Sequence, residues 1–266
     1  MFALAAPPPE TVEVSGAAYR LARVFKHDFW AATCLYQAAA EAPFREIVVK
    51  FGRSQPFWGL PMAWYARLLQ AHERDVYAAL AGVEGVPRWV GRVGEAGFAI
   101  EYIEAAPLDH LDRPPPGFFD RLGEVFEALH ARGVAYGDAN KRSNILVRPD
   151  GRPCLIDYQI AIRRRDDWPW PLRAMLAAAV RYLAAKDLYH LYKHKRRLAP
   201  DELTPEQEAL SRRRTGLHEL HRRLAKPYRA LRRGFLRSQH AKGALESPTA
   251  GLEDHRQPEK DTWRKT

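Results

Sequence analysis

Hydrophobic and polar positions first follow the short period of strands and later the longer period of helices. Between Tyr19 and Phe51 the pattern suits strands: Val24 and Phe25, then Thr33, Cys34, Leu35 and Tyr36, flank a polar and aromatic turn. The run Glu46-Ile-Val-Val-Lys-Phe51 is a second, β-branched strand that closes on a lysine. Gly59-Leu60-Pro61 is a helix entry with proline at the first position, and the spacing predicts a helix over 61–81 with Gly82 just past its end. Two further strands are predicted over 87–93 and 98–103, joined as a hairpin through Gly94 to Gly97. The proline-rich stretch 107–117 reads as a connection between lobes. A helix is predicted over 118–132, with Leu122, Val125, Phe126 and Leu129 as its apolar stripe and Gly133 as its stop.

After a loop over 134–143 comes another hairpin. Its strands are Ile145-Leu-Val147 and Cys154-Leu-Ile156, and Arg148-Pro-Asp-Gly151 is its turn. From Leu172 to about Phe235 the chain is helical and basic, interrupted over 198–205, where Thr204-Pro205 restarts a helix. Residues 1–17 read as a loose leader and 241–266 as a disordered tail. The order of elements gives an α+β fold with an antiparallel sheet lobe over 18–104 and a helical lobe over 105–240, without internal repeats.

Composition narrows the function classes. The 266 residues are 46% hydrophobic and 28% charged, which suits a globular chain with room for two lobes. No apolar run reaches the ~20 residues of a membrane helix. The start lacks a basic segment and breaks at Pro7, Pro8 and Pro9, so no secretory signal is read there. Cys34 and Cys154 stand far apart without ligands at metal spacing. That speaks against a disulfide scaffold or a zinc site and fits a reducing cytoplasm. The formal net charge is +10, and it is uneven: 161–242 holds 21 basic and 8 acidic residues, a net of +13, which leaves −3 for the rest. A basic half attracts phosphate, nucleic acid or anionic lipid, and no specific nucleic-acid motif accompanies it.

Three features carry chemistry together. Lys50 closes a β-branched strand. Glu73 falls on the apolar stripe Met62, Tyr65, Leu69, Val76 and Leu80 of the helix over 61–81, where a carboxylate needs a partner such as a strand lysine. The third feature is Ala135-Tyr-Gly-Asp138-Ala-Asn-Lys141-Arg-Ser-Asn144 followed by Leu155-Ile-Asp157-Tyr-Gln. It sets Asn144 and Asp157 at one end of a hairpin, where oxygen ligands side by side suit Mg²⁺, and leaves Asp138 in a loop facing substrate.

This constellation resembles the protein-kinase-like superfamily, in the form of the small bacterial atypical kinases described as RIO-like or lipopolysaccharide-kinase-like serine/threonine kinases. The resemblance covers about Tyr19 to Ile160 and implies a bilobal kinase fold. It implies Lys50 as the phosphate-binding lysine, Glu73 as its helix partner, and Glu101 to Ile103 as the segment whose backbone meets adenine. It further implies Asp138 as the catalytic aspartate, Lys141 as a γ-phosphate contact, and Asn144 and Asp157 as Mg²⁺ ligands. ATP and Mg²⁺ are the implied cofactors. The acceptor is a hydroxyl of a protein serine or threonine, or of a lipid-linked sugar.

The departures from the family pattern are informative. Tyr136-Gly137-Asp138 stands where the pattern has His-Arg-Asp, and Asn144 comes one residue later than usual. Asp157-Tyr158-Gln159 replaces Asp-Phe-Gly. No glycine-rich loop precedes Lys50; the turn over 25–33 offers Lys26 as a phosphate contact and Phe29 or Trp30 as a cap. That gap favours the alternative of an inactive pseudokinase scaffold. Asp187 has two readings, a brace for the catalytic loop or an ordinary helix-surface charge. Arg163-Arg-Arg165 with Trp168-Pro-Trp170 suits a membrane surface or a structural clamp. The expected location is the cytoplasm, with a peripheral position at the inner face of the membrane through the basic helical lobe.

Overall fold

The computed structural model describes residues 3–56 and 63–212. The chain divides into two compact units. Of the described residues, one takes in those up to Gln70 and Val90–Tyr102; the other takes in Ala71–Trp89 and residues 103–212.

The first unit is built on a six-stranded sheet. Its strands are β1 (Thr11–Val14), β2 (Ala17–His27), β3 (Ala31–Ala38), β4 (Glu46–Gly52), β5 (Trp89–Val93) and β6 (Gly97–Glu101), in the order β1-β2-β3-β4-β6-β5. Period-2 patterning puts Ile47 and Val49 of β4 in the core and leaves Val48 and Lys50 half-buried on the other face. Val24, Cys34, Tyr36 and Ala99 complete that core from the neighbouring strands. β1 and β2 form a hairpin through Ser15 and Gly16, both at positive φ (51° and 80°), as a two-residue turn of this kind requires.

The leader expected over 1–17 is therefore ordered where it is described. Val12 and Val14 are buried, and β1 pairs with β2. Ala3, fully buried, donates its N–H to the Asp28 carbonyl at 2.8 Å and accepts the Ser54 N–H at 2.9 Å. The alternation Thr-Val-Glu-Val before Ser-Gly is the hairpin signal behind this difference.

Helix α1 (Ala63–Ala79) spans the division between the units. Its entry at Gly59-Leu60-Pro61 lies outside the described residues. Within the first unit, Gln70 Nε2 donates to the Gly97 carbonyl. Gly52 lies so close to α1 that a Cβ there would sit 2.9 Å from the Ala66 Cβ.

The second unit holds the short β7 (Ala106–Pro107), helix α2 (Phe118–Ala131), β8 (Val134–Ala135), β9 (Ile145–Val147), β10 (Pro153–Leu155), β11 (Ile162–Arg163), α3 (Leu172–Leu198) and α4 (Pro205–Arg212). Gly133, at φ 71°, ends α2 as the sequence predicts: its N–H bonds the His130 carbonyl at 2.9 Å. Phe118, Phe119, Leu122, Phe126 and Leu129 of α2 are buried. β9 pairs with β10 and β7, and β8 pairs with β11. The stretch 71–89, expected in the sheet lobe, clusters with this second unit instead. The reason is contact between distant parts of the chain: Leu155 donates its N–H to the Gly85 carbonyl at 2.8 Å, and Tyr77 packs edge-on to Tyr158 at 5.1 Å. The helical continuation beyond Arg212 and the tail expected over 241–266 lie outside the described residues.

Candidate active site

The loop between β8 and β9 carries Asp138, Lys141 and Asn144 in the second unit. Two consecutive turns close it: Lys141 N–H bonds the Asp138 carbonyl at 3.0 Å, and Asn144 N–H bonds the Lys141 carbonyl at 3.2 Å. These turns absorb the extra residue between Asp138 and Asn144. They also fold Asn144 back, so that its Nδ2 donates to Asp138 Oδ2 at 2.9 Å while Lys141 Nζ lies 3.1 Å from the same oxygen. Burial raises the Asp138 carboxyl pKa and the Asp157 charge adds to the rise, against the lowering effects of Lys141 and the Asn144 hydrogen bond; the net direction is upward.

Asp157 follows β10. The Ile156 N–H bonds the Asn144 carbonyl at 3.1 Å, which ties the two segments together. Asp157 has φ 63°, one of only two non-glycine residues at positive φ among those described. A left-handed aspartate in regular surroundings costs about 1 kcal/mol or more, and such strain clusters at functional sites.

Helix α3 braces this loop from beneath. Asp187, 1% exposed, accepts the Tyr136 N–H on Oδ2 at 2.8 Å and the Gly137 N–H on Oδ1 at 2.9 Å. His130 Nε2 also lies 3.1 Å from Oδ2. Of the two readings open for Asp187, the structure selects the brace. Two turns along, His194 Nε2 donates to the Ala139 carbonyl at 2.9 Å, and Lys193 Nζ donates to Asn140 Oδ1 at 3.0 Å. Sequence reasoning missed His194 and Lys193. For His194 the signal was its place on α3, because 187, 191 and 194 share one helical face; Lys193 lies off that face.

Burial is the main cause that pushes the His194 pKa down from 6.5 to about 4, with the Lys193, Arg142 and Arg197 charges adding to it. The unfolded chain takes up that proton near pH 6.5, whereas the folded chain resists until about pH 4. Stability tied to this group is therefore complete above pH 6.5 and declines as pH falls from there towards 4. Acid-induced loss of Tm across that window is expected to be smaller in His194→Asn, measured by thermal melts at a series of pH values. An unchanged slope would contradict the assignment.

Aromatic packing supports the two aspartates. Tyr158 meets Tyr136 at 5.3 Å and Tyr77 at 5.1 Å, both edge-on, and all three rings are buried. The Tyr136 hydroxyl donates to the Ile156 carbonyl. The Tyr158 hydroxyl is buried without a hydrogen-bond partner among the described residues. Tyr158→Phe removes that orphaned group at constant ring shape, so it is expected to stabilise the protein by roughly 1 kcal/mol in denaturant titration. A loss of stability would show that the hydroxyl has a partner.

The remaining expected residues are divided between the units. In the first, Lys50 sits on β4 opposite Thr33 and Phe98, with Nζ 5.9 Å from the Phe98 ring centre. Glu101 ends β6 opposite Ile47, and the next N–H, that of Tyr102, bonds the Glu46 carbonyl at 3.3 Å. Lys26, on β2 opposite Thr33, holds Asp28 Oδ2 at 2.7 Å. The same Asp28 side chain accepts the Trp30 and Ala31 N–H groups at 2.8 and 3.0 Å, which turns β2 into β3 without glycine. Burial works to raise the Asp28 pKa, but Lys26 and those N–H donors outweigh it, and the net direction is down. In the second unit, Glu73 is 2% exposed on α1, sharing a buried face with Val76 and Leu80, and Ile103 is half-buried at the start of the unit's later segment; Tyr65 and Leu69 of the predicted stripe are only half-buried. No group of three or more His, Cys, Asp or Glu side chains with metal-holding geometry occurs among the described residues. Cys34 and Cys154 are buried and form no disulfide among the described residues.

A β-sheet unit with one helix, and a helical unit whose hairpin follows a braced Asp-to-Asn loop, define a bilobal protein-kinase-like fold. Among solved structures the chain is similar to the Rio2 kinase from Chaetomium thermophilum, an atypical kinase fold, at TM-score 0.50 and 16% identity over 71% of this chain and 61% of that one. The Rio2 kinase–ADP/Mg²⁺–phosphoaspartate complex from the same organism also matches, at TM-score 0.46 and 14% identity. The chain therefore spans less than two thirds of the length of these relatives. No protein-family profile and no curated protein sequence matches it. No helix among the described residues is long and apolar enough to cross a membrane.

Proposed function

We propose that the protein is an Mg-ATP-dependent phosphotransferase acting on a hydroxyl acceptor, most simply as an atypical serine/threonine protein kinase. The observation that carries this reading is the cluster of Asp138, Lys141 and Asn144 on one braced loop, tied to a left-handed Asp157. Nothing in packing alone calls for that set. A scaffold with no nucleotide chemistry has no need of a strained aspartate beside a second, partly buried one.

In this reading Asp138 orients the acceptor hydroxyl and takes its proton as the oxygen attacks the γ-phosphorus; the bond from that phosphorus to the β-phosphate oxygen breaks and ADP leaves. Asn144 donates through Nδ2 to Asp138, which leaves Oδ1 to accept a cation. With the Asp157 carboxylate it forms a small set of hard oxygen donors, the kind that holds Mg²⁺ while phosphate and water fill the other positions. Bound Mg²⁺ would offset the charge of the phosphates. Lys141 faces the transferring phosphoryl group. Lys50, with Glu73 as its partner, orients the other phosphates, and the backbone from Glu101 to Ile103 meets adenine. Lys50 and Glu73 belong to different units, so their pairing is part of the proposal. A role for Lys26 on phosphate requires it to leave Asp28.

A lipopolysaccharide or sugar kinase is the second reading, because the short segment between Asp157 and α3 gives an extended peptide little to lie on. The test is to incubate the full chain with Mg²⁺, γ-labelled ATP and a host-cell extract beside an Asp138→Asn control. Protein, lipid and soluble fractions are then separated. Label that depends on Asp138 supports the proposal, and its fraction names the acceptor class. No Asp138-dependent label in any fraction, the protein itself included, leaves the pseudokinase scaffold.

A further inference from the structure

We propose that residues 160–175 form a docking face for an anionic membrane surface. Among the described residues nine large apolar side chains are exposed, and five of them fall in this one short stretch: Ile160, Trp168, Trp170, Leu172 and Met175, at 42–75% exposure. Such clustering marks an interaction surface rather than scattered surface residues.

The backbone beneath is held. β11 pairs with β8, the Arg164 N–H bonds the Gly133 carbonyl at 2.8 Å, and the Arg173 and Met175 N–H groups bond the Pro169 and Pro171 carbonyls at 3.2 and 3.0 Å. The tryptophans are thus presented on a fixed frame, and a membrane pays little ordering entropy to receive them.

Charge selects the occupant. α3 holds seven basic residues and one acidic residue; Asp187 and Lys195 are buried, which leaves six basic side chains and no acidic one outside its buried face. Arg173 and Arg181 are exposed around Met175 and Ala178 on its first turns. The two exposed carboxylates of the segment are occupied: Asp166 by Arg164 and Asp167 by Arg165, each at 3.1 Å. Arg165 also lies over the Trp168 ring at 5.6 Å. Indole rings sit at headgroup depth and arginines reach up to phosphate, so this mixture matches an interface of anionic lipid and needs no shaped pocket in a partner.

The patch adjoins the loop that bears Asp138. A Cβ on Gly137 would sit 3.3 Å from the Ile160 carbonyl oxygen and 3.9 Å from its Cγ1. If the phosphotransferase reading holds, docking here brings the catalytic loop to the lipid surface, where a lipid-linked acceptor presents its hydroxyl. The docking itself does not depend on that reading.

The experiment uses the full chain and two sets of vesicles, phosphatidylcholine alone and phosphatidylcholine mixed with phosphatidylglycerol, with co-sedimentation and tryptophan emission as readouts. The expected result is binding to the anionic vesicles with a blue shift, weakening with salt, and at least roughly tenfold weaker in W168S/W170S. A second variant, L172N/M175N, is expected to weaken binding in the same way with unchanged far-ultraviolet circular dichroism. Absence of binding to anionic vesicles would overturn the proposal. So would equal binding by the native chain and both variants, which would place the contact elsewhere. A concentration-dependent dimer without vesicles that both variants abolish would assign the face to a second copy of the chain and likewise overturn it.

Discussion

Asp157→Asn is expected to lower phosphotransfer by roughly 10²–10³-fold or more while leaving the fold intact. Asparagine tolerates the left-handed region at least as well as aspartate, so the φ of 63° at this position is no obstacle to the substitution. The side chain keeps its shape and loses only its charge. If Asp157 serves as the carboxylate for a divalent cation, that charge is what the substitution removes, and higher Mg²⁺ is expected to restore part of the rate. The carboxylate also presses the Asp138 pKa upward, so its loss relieves a like-charge repulsion, and the Tm is expected to be unchanged or higher. Single-turnover rates at several Mg²⁺ concentrations, beside thermal melts, check both halves. Full turnover in the variant would remove Asp157 from the chemistry.

The second large effect is at Asp187, and it falls on stability and rate together. Its carboxylate is the shared acceptor for the Tyr136 and Gly137 N–H groups, beneath the loop that bears Asp138. Asp187→Ala leaves the buried Tyr136 donor and the partly buried Gly137 donor unpaired, and each costs about 1–3 kcal/mol. A loss of about 3 kcal/mol or more is expected in denaturant titration. Asn is a poor substitute, because Oδ2 already serves Tyr136 and His130 while Oδ1 serves Gly137; an NH₂ at either place meets a donor. Asp187 touches no reacting atom in the proposed mechanism. It acts as a positioning residue, so where the variant is folded kcat is expected to fall with little change in KM for ATP. A variant with native stability and native kcat would return Asp187 to the status of a helix charge.

How far the sequence reaches can be judged from individual residues. The hairpin at Ile145–Val147, the stop of α2 at Gly133 and the buried place of Glu73 follow from period and turn chemistry, which act locally. Asp138, Asn144 and Asp157 were legible as a set because two short strands fix their spacing. What escaped was long-range. Nothing within a few residues of His194 or Lys193 announces that they reach the carbonyl of Ala139 and the side chain of Asn140, more than fifty positions earlier. The grouping of 71–89 with the second unit depends on the Gly85–Leu155 hydrogen bond and the Tyr77–Tyr158 contact, both between distant parts of the chain. The strand Thr11–Val14 was different: its alternation and its Ser-Gly turn were present, but the proline-rich residues before it suggested a loose segment.

The most direct measurement is calorimetric titration of ATP into the full chain, with Mg²⁺ and then with the metal chelated, repeated on Asp157→Asn. The account predicts one binding site whose affinity rises with Mg²⁺ in the native chain and loses that metal dependence in the variant. Binding that ignores Mg²⁺, or no nucleotide binding at all, would contradict it.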